Sequence, residues 1–175
     1  PMPDVTPHPA SPYAASPALR IGHVHLKVAD LDRALRFWRD AIGLQEQQRR
    51  VGPDGRGAVF LSAGGYHHHV ALNTWESAGG PAPAPGTTGL YHVALLYPDR
   101  AALAAALRRV LEAGVELEGA SDHGVSEAIY LRDPDGNGVE LYHDRPEAEW
   151  PRDAAGGLAM GTRRLDLHAL LAGSG

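Results

Sequence analysis

Two histidines and one glutamate stand out by their positions in this sequence. His23 and His92 lie in Gly22-His23-Val24-His25-Leu26 and Tyr91-His92-Val93-Ala94-Leu95, which superpose when the chain is slid by 69 positions (23 to 92). The same shift carries Asp30 onto Asp99, and Glu140 stands between the apolar Val139 and Leu141. Side chains alternate along a strand, so Val24, Leu26 and Val28 share one face and His23, His25 and Lys27 the other. By that test His92 and Ala94 oppose Val93 and Leu95, Glu140 and Tyr142 oppose Val139 and Leu141, and Tyr130 opposes Ile129 and Leu131. In the segment Tyr66-His67-His68-His69, His67 and His69 point inward with Ala71 and Asn73, while His68 faces away. His23, His69, His92, Tyr130 and Glu140 are therefore expected to converge on one concavity. A carboxylate buried opposite two histidines is costly unless a divalent cation neutralises it. Two imidazoles and a carboxylate leave open positions on non-haem Fe(II) for a substrate and O₂, and Mn(II) has overlapping preferences. Any one of these histidines taken singly reads as an ordinary hydrogen-bonded residue; the repeat-related pair facing an acid is what points to a metal.

Positioning those residues requires two similar units. Residues 21–28 alternate as a strand, and Asp30 caps a helix whose apolar residues Leu31, Ala34, Leu35, Trp38 and Ile42 recur at helical spacing before Gly43 stops it. Strands follow near residues 47–51, 58–62 and 67–73, the first two joined by Gly52-Pro53-Asp54-Gly55-Arg56-Gly57. Residues 77–89, rich in Gly, Pro, Ala and Thr, form a linker. The order then returns: a strand at 91–97, Asp99 as cap, a helix with Leu103, Leu107, Val110 and Leu111 inward, Gly114 as stop, and strands near 116–119, 128–132 and 138–142. The expected fold is thus α+β, with two tandem β-α-β-β-β modules (19–76 and 90–143) forming one curled mixed-sheet half-barrel. Residues 1–18, with six prolines, read as a mobile segment, and residues 144–175 as a C-terminal extension lying over the cavity mouth or a partner subunit.

Composition narrows the field further. The 175 residues suit one domain, and 43% hydrophobic with 21% charged residues is globular composition, not disordered or fibrous. Ten histidines and no cysteine confine any metal to nitrogen and oxygen ligands and exclude disulfides, iron–sulfur clusters and a cysteine nucleophile. A net charge of −5 without a basic block argues against nucleic acid. With no long apolar run and no basic-plus-apolar start, the chain reads as soluble and cytoplasmic, without a membrane partner.

Ile21-Gly22-His23-Val24 with Asp30-Leu31, Leu90-Tyr91-His92-Val93, and Asp133-Pro134-Asp135-Gly136-Asn137-Gly138-Val139-Glu140-Leu141 resemble the three metal-ligand segments of the vicinal oxygen chelate superfamily, over residues 19–143. That superfamily includes ring-cleaving dioxygenases, glyoxalase I, epimerases, fosfomycin-modifying enzymes and metal-free antibiotic-binding proteins. In glyoxalase I and the epimerases a fourth ligand, a Glu, stands at the repeat position of Glu140; here 140 − 69 = 71, and residue 71 is Ala. His69 resembles the acid–base histidine of extradiol dioxygenases, and His123 and Tyr130 resemble the His and Tyr those enzymes place around catecholate and oxygen. The resemblance implies a single-domain relative of catechol 2,3-dioxygenases: Fe(II) on His23, His92 and Glu140, a small aromatic diol and O₂ as substrates, and a homodimer. The alternatives are a metal-dependent glyoxalase, lyase, isomerase or thiol transferase, and a metal-free binding protein.

Overall fold

The computed structural model describes residues 14–173, so most of the proline-rich 1–18 segment lies outside the described residues. Nine strands and three helices follow in the order β1 (Val24–Lys27), α1 (Leu31–Leu35), β2 (Gln45–Val51), β3 (Gly57–Ser62), β4 (Val70–Asn73), β5 (Val93–Leu96), α2 (Arg100–Glu112), β6 (Leu117–Asp122), β7 (Ser126–Arg132), β8 (Gly138–Asp144), β9 (Arg163–Arg164) and α3 (Leu167–Ala172). The strands form two mixed sheets, ordered β1-β4-β3-β2 and β5-β8-β7-β6-β9. Each begins with a parallel pair, β1 on β4 and β5 on β8, which a crossover helix permits, and continues antiparallel. This is the expected α+β duplication, open and not closed into a barrel.

Both helices start where a side chain can satisfy an orphan amide. The Asp30 carboxylate accepts from the Arg33 amide at 2.6 Å, and that of Asp99 from the Ala102 amide at 2.8 Å. The continuous helix expected from Leu31 to Ile42 instead widens after Leu35: the Ile42 amide donates to the Phe37 carbonyl, five residues back. This π-type turn buries the adjacent Phe37 and Trp38, and Trp38 is fully enclosed. The apolar faces of α1 and α2 pack on Leu26, Val59, Leu72, Ile129, Val139 and Leu141 in one continuous core shared by the modules.

The turn between β7 and β8 joins the two modules. Asp133 Oδ2 accepts from the Trp38 indole at 3.2 Å, and Asp135 Oδ1 accepts from the Ala29 amide at 2.9 Å and from the Arg33 guanidinium. Burial raises the Asp133 pKa, against hydrogen bonds from Asn137, Trp38 and Asp135 that lower it. From the side of α2, Arg109 donates to the Asp40 and Ala41 carbonyls.

β8 runs two residues beyond the expected end at 142, which places His143 among the buried residues. His143 Nε2 is 2.9 Å from buried Glu127, whose carboxylate also accepts from Arg100 and Arg145. The C-terminal extension lies on module two: β9 adds an edge to the second sheet beside β6, and Leu165 and Leu170 are buried beside α2.

Candidate metal centre

Strand alternation positions the second module's polar residues as expected. Val139 and Leu141 are buried in the core, while Glu140 and Tyr142 stand on the opposite face at intermediate exposure. The antiparallel register sets Tyr130 of β7 directly opposite Glu140. His92 immediately precedes β5, and Gly138 allows β8 to pass close beside it: a Cβ at residue 138 would run into the Tyr91 carbonyl oxygen.

These residues form a continuous chain of polar contacts. His92 Nε2 lies 2.9 Å from Glu140 Oε2, the Tyr130 hydroxyl oxygen lies 3.3 Å from Glu140 Oε1, and His123 Nε2 is 2.7 Å from the same hydroxyl. The Glu140 side chain is 12% exposed and that of His92 is 32% exposed, so the pair is shielded yet reachable. Burial first, then the neighbouring Glu140 charge, push the Tyr130 hydroxyl up to about 12. It therefore stays a protonated donor at neutral pH. A cleft of about 340 Å³ opens beside this chain, lined by Tyr91, His92, Gly119, Tyr130 and Gly138 among others, all from module two.

The donor set suits a hard or borderline divalent cation. His92 Nε2 and Glu140 Oε2 would hold such an ion through a nitrogen and an oxygen that already stand 2.9 Å apart. His92 Nδ1 is buried without a hydrogen-bond partner among the described residues, so the ring's polar contact is through the nitrogen that faces Glu140.

Module one carries the remaining candidates. His23 is exposed just before β1, its ring 4.3 Å from that of His68, which in turn meets Phe60 edge-on at 5.1 Å. His68 thus joins His23 on the face it was expected to turn away from. The expected strand at residues 67–73 begins only at Val70, and Gly64 and Gly65 before it have positive φ, so strand alternation does not extend back through the three histidines. Burial lowers the His68 pKa, and its neighbours His23, His67, His25 and His69 lower it further; His25 is lowered by burial and then by His23. His69 Nδ1 accepts from the Ala63 amide at 3.3 Å, and its ring lies 4.7 Å from that of Tyr66.

The structure therefore gathers His92, Glu140, Tyr130 and His123, and holds His23 and His69 on the other module. Among the described residues no three His, Asp or Glu side chains stand close enough together to hold an ion. Sequence reasoning missed two partners of His123, the Gly161 carbonyl at 3.0 Å and Thr162 Oγ1 at 3.3 Å, both on the extension; nothing in the extension's composition marks them.

The family model for the Glyoxalase/Bleomycin resistance protein/Dioxygenase superfamily matches residues 20–141. A catechol-2,3-dioxygenase of Bacillus subtilis (strain 168) is 40% identical over 160 residues, covering 89% of this chain and 52% of the relative. A biphenyl-2,3-diol 1,2-dioxygenase of Rhodococcus globerulus is 32% identical over 125 residues, 71% of this chain and 63% of the relative. The chain thus spans between half and two-thirds of the length of these relatives. Among solved structures, a glyoxylase/bleomycin resistance protein/dioxygenase domain from Frankia sp. EAN1pec superposes with a TM-score of 0.62 at 21% identity, covering 73% of this chain and 98% of that one; at that identity the likeness concerns the fold.

Proposed function

Since this chain belongs to the glyoxalase/bleomycin resistance protein/dioxygenase superfamily, we propose that it is a non-haem Fe(II)-dependent extradiol dioxygenase that cleaves the ring of a catechol-type substrate with O₂. The observation that carries this reading is the unbroken contact chain His92–Glu140–Tyr130–His123 beside an open cleft. Two dioxygenase-named relatives support the reaction type. Ala71 stands where a fourth, carboxylate ligand would make the site that of a glyoxalase or epimerase.

His92 and Glu140 would hold the ion with His23 as third ligand, and the bound metal would supply Lewis acidity to both diol oxygens and electronic contact with O₂. The chain's own groups manage protons and orientation. Tyr130, protonated throughout the neutral range and turned toward His123, would present its hydroxyl oxygen as an acceptor to a diol hydroxyl in the cleft. His123 holds the Tyr130 hydroxyl in place, and His69, once its Nδ1 leaves the Ala63 amide, would accept a proton from one diol hydroxyl and return it to an oxygen of the ring-opened product, work suited to an imidazole. Bringing His23 and His69 to the pair on module two requires the two inner faces to meet. Ile21, Tyr91 and Leu96 are 97%, 83% and 57% exposed near the edge strands β1 and β5, and a homodimer pairing module one of each copy with module two of the other would cover them and complete two sites.

Anaerobic loading with Fe(II) followed by oxygen uptake on a panel of catechols tests the reaction. Consumption of one O₂ per ring cleaved, with a yellow product, is expected. Turnover without oxygen consumption would replace this reading with a lyase or isomerase, and tight aromatic binding unaffected by Glu140→Gln would replace it with a metal-free binding protein.

A further inference from the structure

We propose that the C-terminal segment 161–173 is a strap that fixes the ring tautomer of His123, making Gly161 and Thr162 positioning residues for the site. As a statement about catalysis this rests on the function proposed above; as a statement about the ring it does not. His123 Nδ1 lies 3.0 Å from the Gly161 carbonyl oxygen. A carbonyl only accepts, so in the neutral imidazole the proton must sit on Nδ1, leaving Nε2 as a bare acceptor. Nε2 faces the Tyr130 hydroxyl at 2.7 Å, while Glu140 Oε1 lies farther from that hydroxyl, at 3.3 Å. Tyr130 has one proton to give. With the tautomer set by the strap, that proton is held by His123, and both Glu140 oxygens keep their lone pairs for a cation. In the opposite tautomer Nε2–H would donate to Tyr130, Tyr130 would donate to Glu140, and the Nδ1 lone pair would face the Gly161 oxygen.

The strap is built to hold this geometry. The Gly161 amide donates back to the His123 carbonyl at 3.1 Å, so residues 123 and 161 grip each other through backbone as well as ring. The two residues of β9 pair with Ser121 and Asp122, immediately before His123. Thr162 Oγ1, 3.3 Å from Nδ1, offers a second acceptor for the same proton. Farther along, Leu170 is fully buried, and Arg100 and Arg108 of α2 donate to the carbonyls of Ala169 and Leu171. Arg100 also binds Glu127 at 2.7 Å, tying the strap's anchor to β7, the strand that carries Tyr130. On the other side of the turn Pro151 closes over Gly124, where any side chain would strike it. A carbonyl that accepts from one ring nitrogen fixes the tautomer presented by the other, and Gly161 and Thr162 both bear on the His123 imidazole.

The test reads the ring nitrogens of His123 by ¹⁵N NMR in the metal-free 175-residue chain, assigned by loss of the signals in His123→Gln. The native chain should show a single neutral tautomer with the proton on Nδ1. In Leu170→Asp, which undocks α3 while leaving 161–162 in the chain, the signals should move to averaged tautomer positions, and Thr162→Val should move them part of the way, with Thr162→Ser restoring them. With Fe(II) loaded, Leu170→Asp should lose about tenfold in kcat with KM and iron content unchanged. A native ring protonated on Nε2 overturns the proposal whatever the variants do, and so does an unshifted tautomer in a Leu170→Asp chain whose circular dichroism shows α3 undocked. A fixed Nδ1–H tautomer in a protein that consumes no oxygen would leave the strap standing and remove the dioxygenase reading instead.

Discussion

At the scale of single residues, the Tyr130 hydroxyl is the most distinctive group of the candidate site. It lies between an imidazole and a carboxylate, and burial beside Glu140 holds it up to about 12. Since ionisation in the folded state is pushed above the ordinary tyrosine range, stability from this group is present below about pH 10 and is lost as pH rises through about 12. Spectrophotometric titration of the tyrosines should show a last component ionising near 12 that is absent in Tyr130→Phe; identical curves for the two proteins would contradict the placement. Alternation around Val139, Leu141, Ile129 and Leu131 made the orientation of Glu140 and Tyr130 legible, because a face packed on helices must be apolar. His68 was not legible: the two glycines at 64 and 65 end the regular backbone, and parity carries no information across an irregular segment.

At the scale of elements, the capping aspartates, the stop glycines and the 69-position repeat were sufficient to order strands and helices, because each has a local physical cause. Strand ends were less visible. β1 starts at Val24 and β4 at Val70, where the parallel pairing of the two begins, and pairing depends on a partner that no local pattern names. The widening of the helix after Leu35 likewise reflects tertiary demand, since it places Trp38 for its hydrogen bond to Asp133 in the other module. Among the strand junctions, Gly138 bears most directly on the site, because the Tyr91 carbonyl leaves no room there for a Cβ. Gly138→Ala should push β8 from β5 beside His92 and destabilise the fold by about 1–3 kcal/mol, with divalent metal affinity falling as the His92–Glu140 geometry opens. Urea unfolding and metal titration of the variant check both effects, and unchanged metal affinity would show that the close approach does not set the pair's spacing.

At the scale of the whole molecule, the duplication explains why one sheet carries His92, Glu140 and Tyr130 while the other carries a repeat-matched histidine, His23. Repeat and periodicity identify two similar units and the side each residue takes, but they say nothing of how the two inner faces are disposed, which is decided by contacts such as Trp38 with Asp133 and Arg109 with the Asp40 and Ala41 carbonyls. The central claim is that His92 and Glu140, joined by His23, grip a divalent cation. If the inner faces meet between two copies, an equal mixture of His23→Ala and Glu140→Gln chains regains an intact site that neither variant has alone. The direct measurement is anaerobic equilibrium dialysis against Fe(II) with the native chain, each variant and that mixture. The account predicts about one ion per native chain, none held by either variant, and partial recovery in the mixture. Retention of the native amount by Glu140→Gln would contradict it.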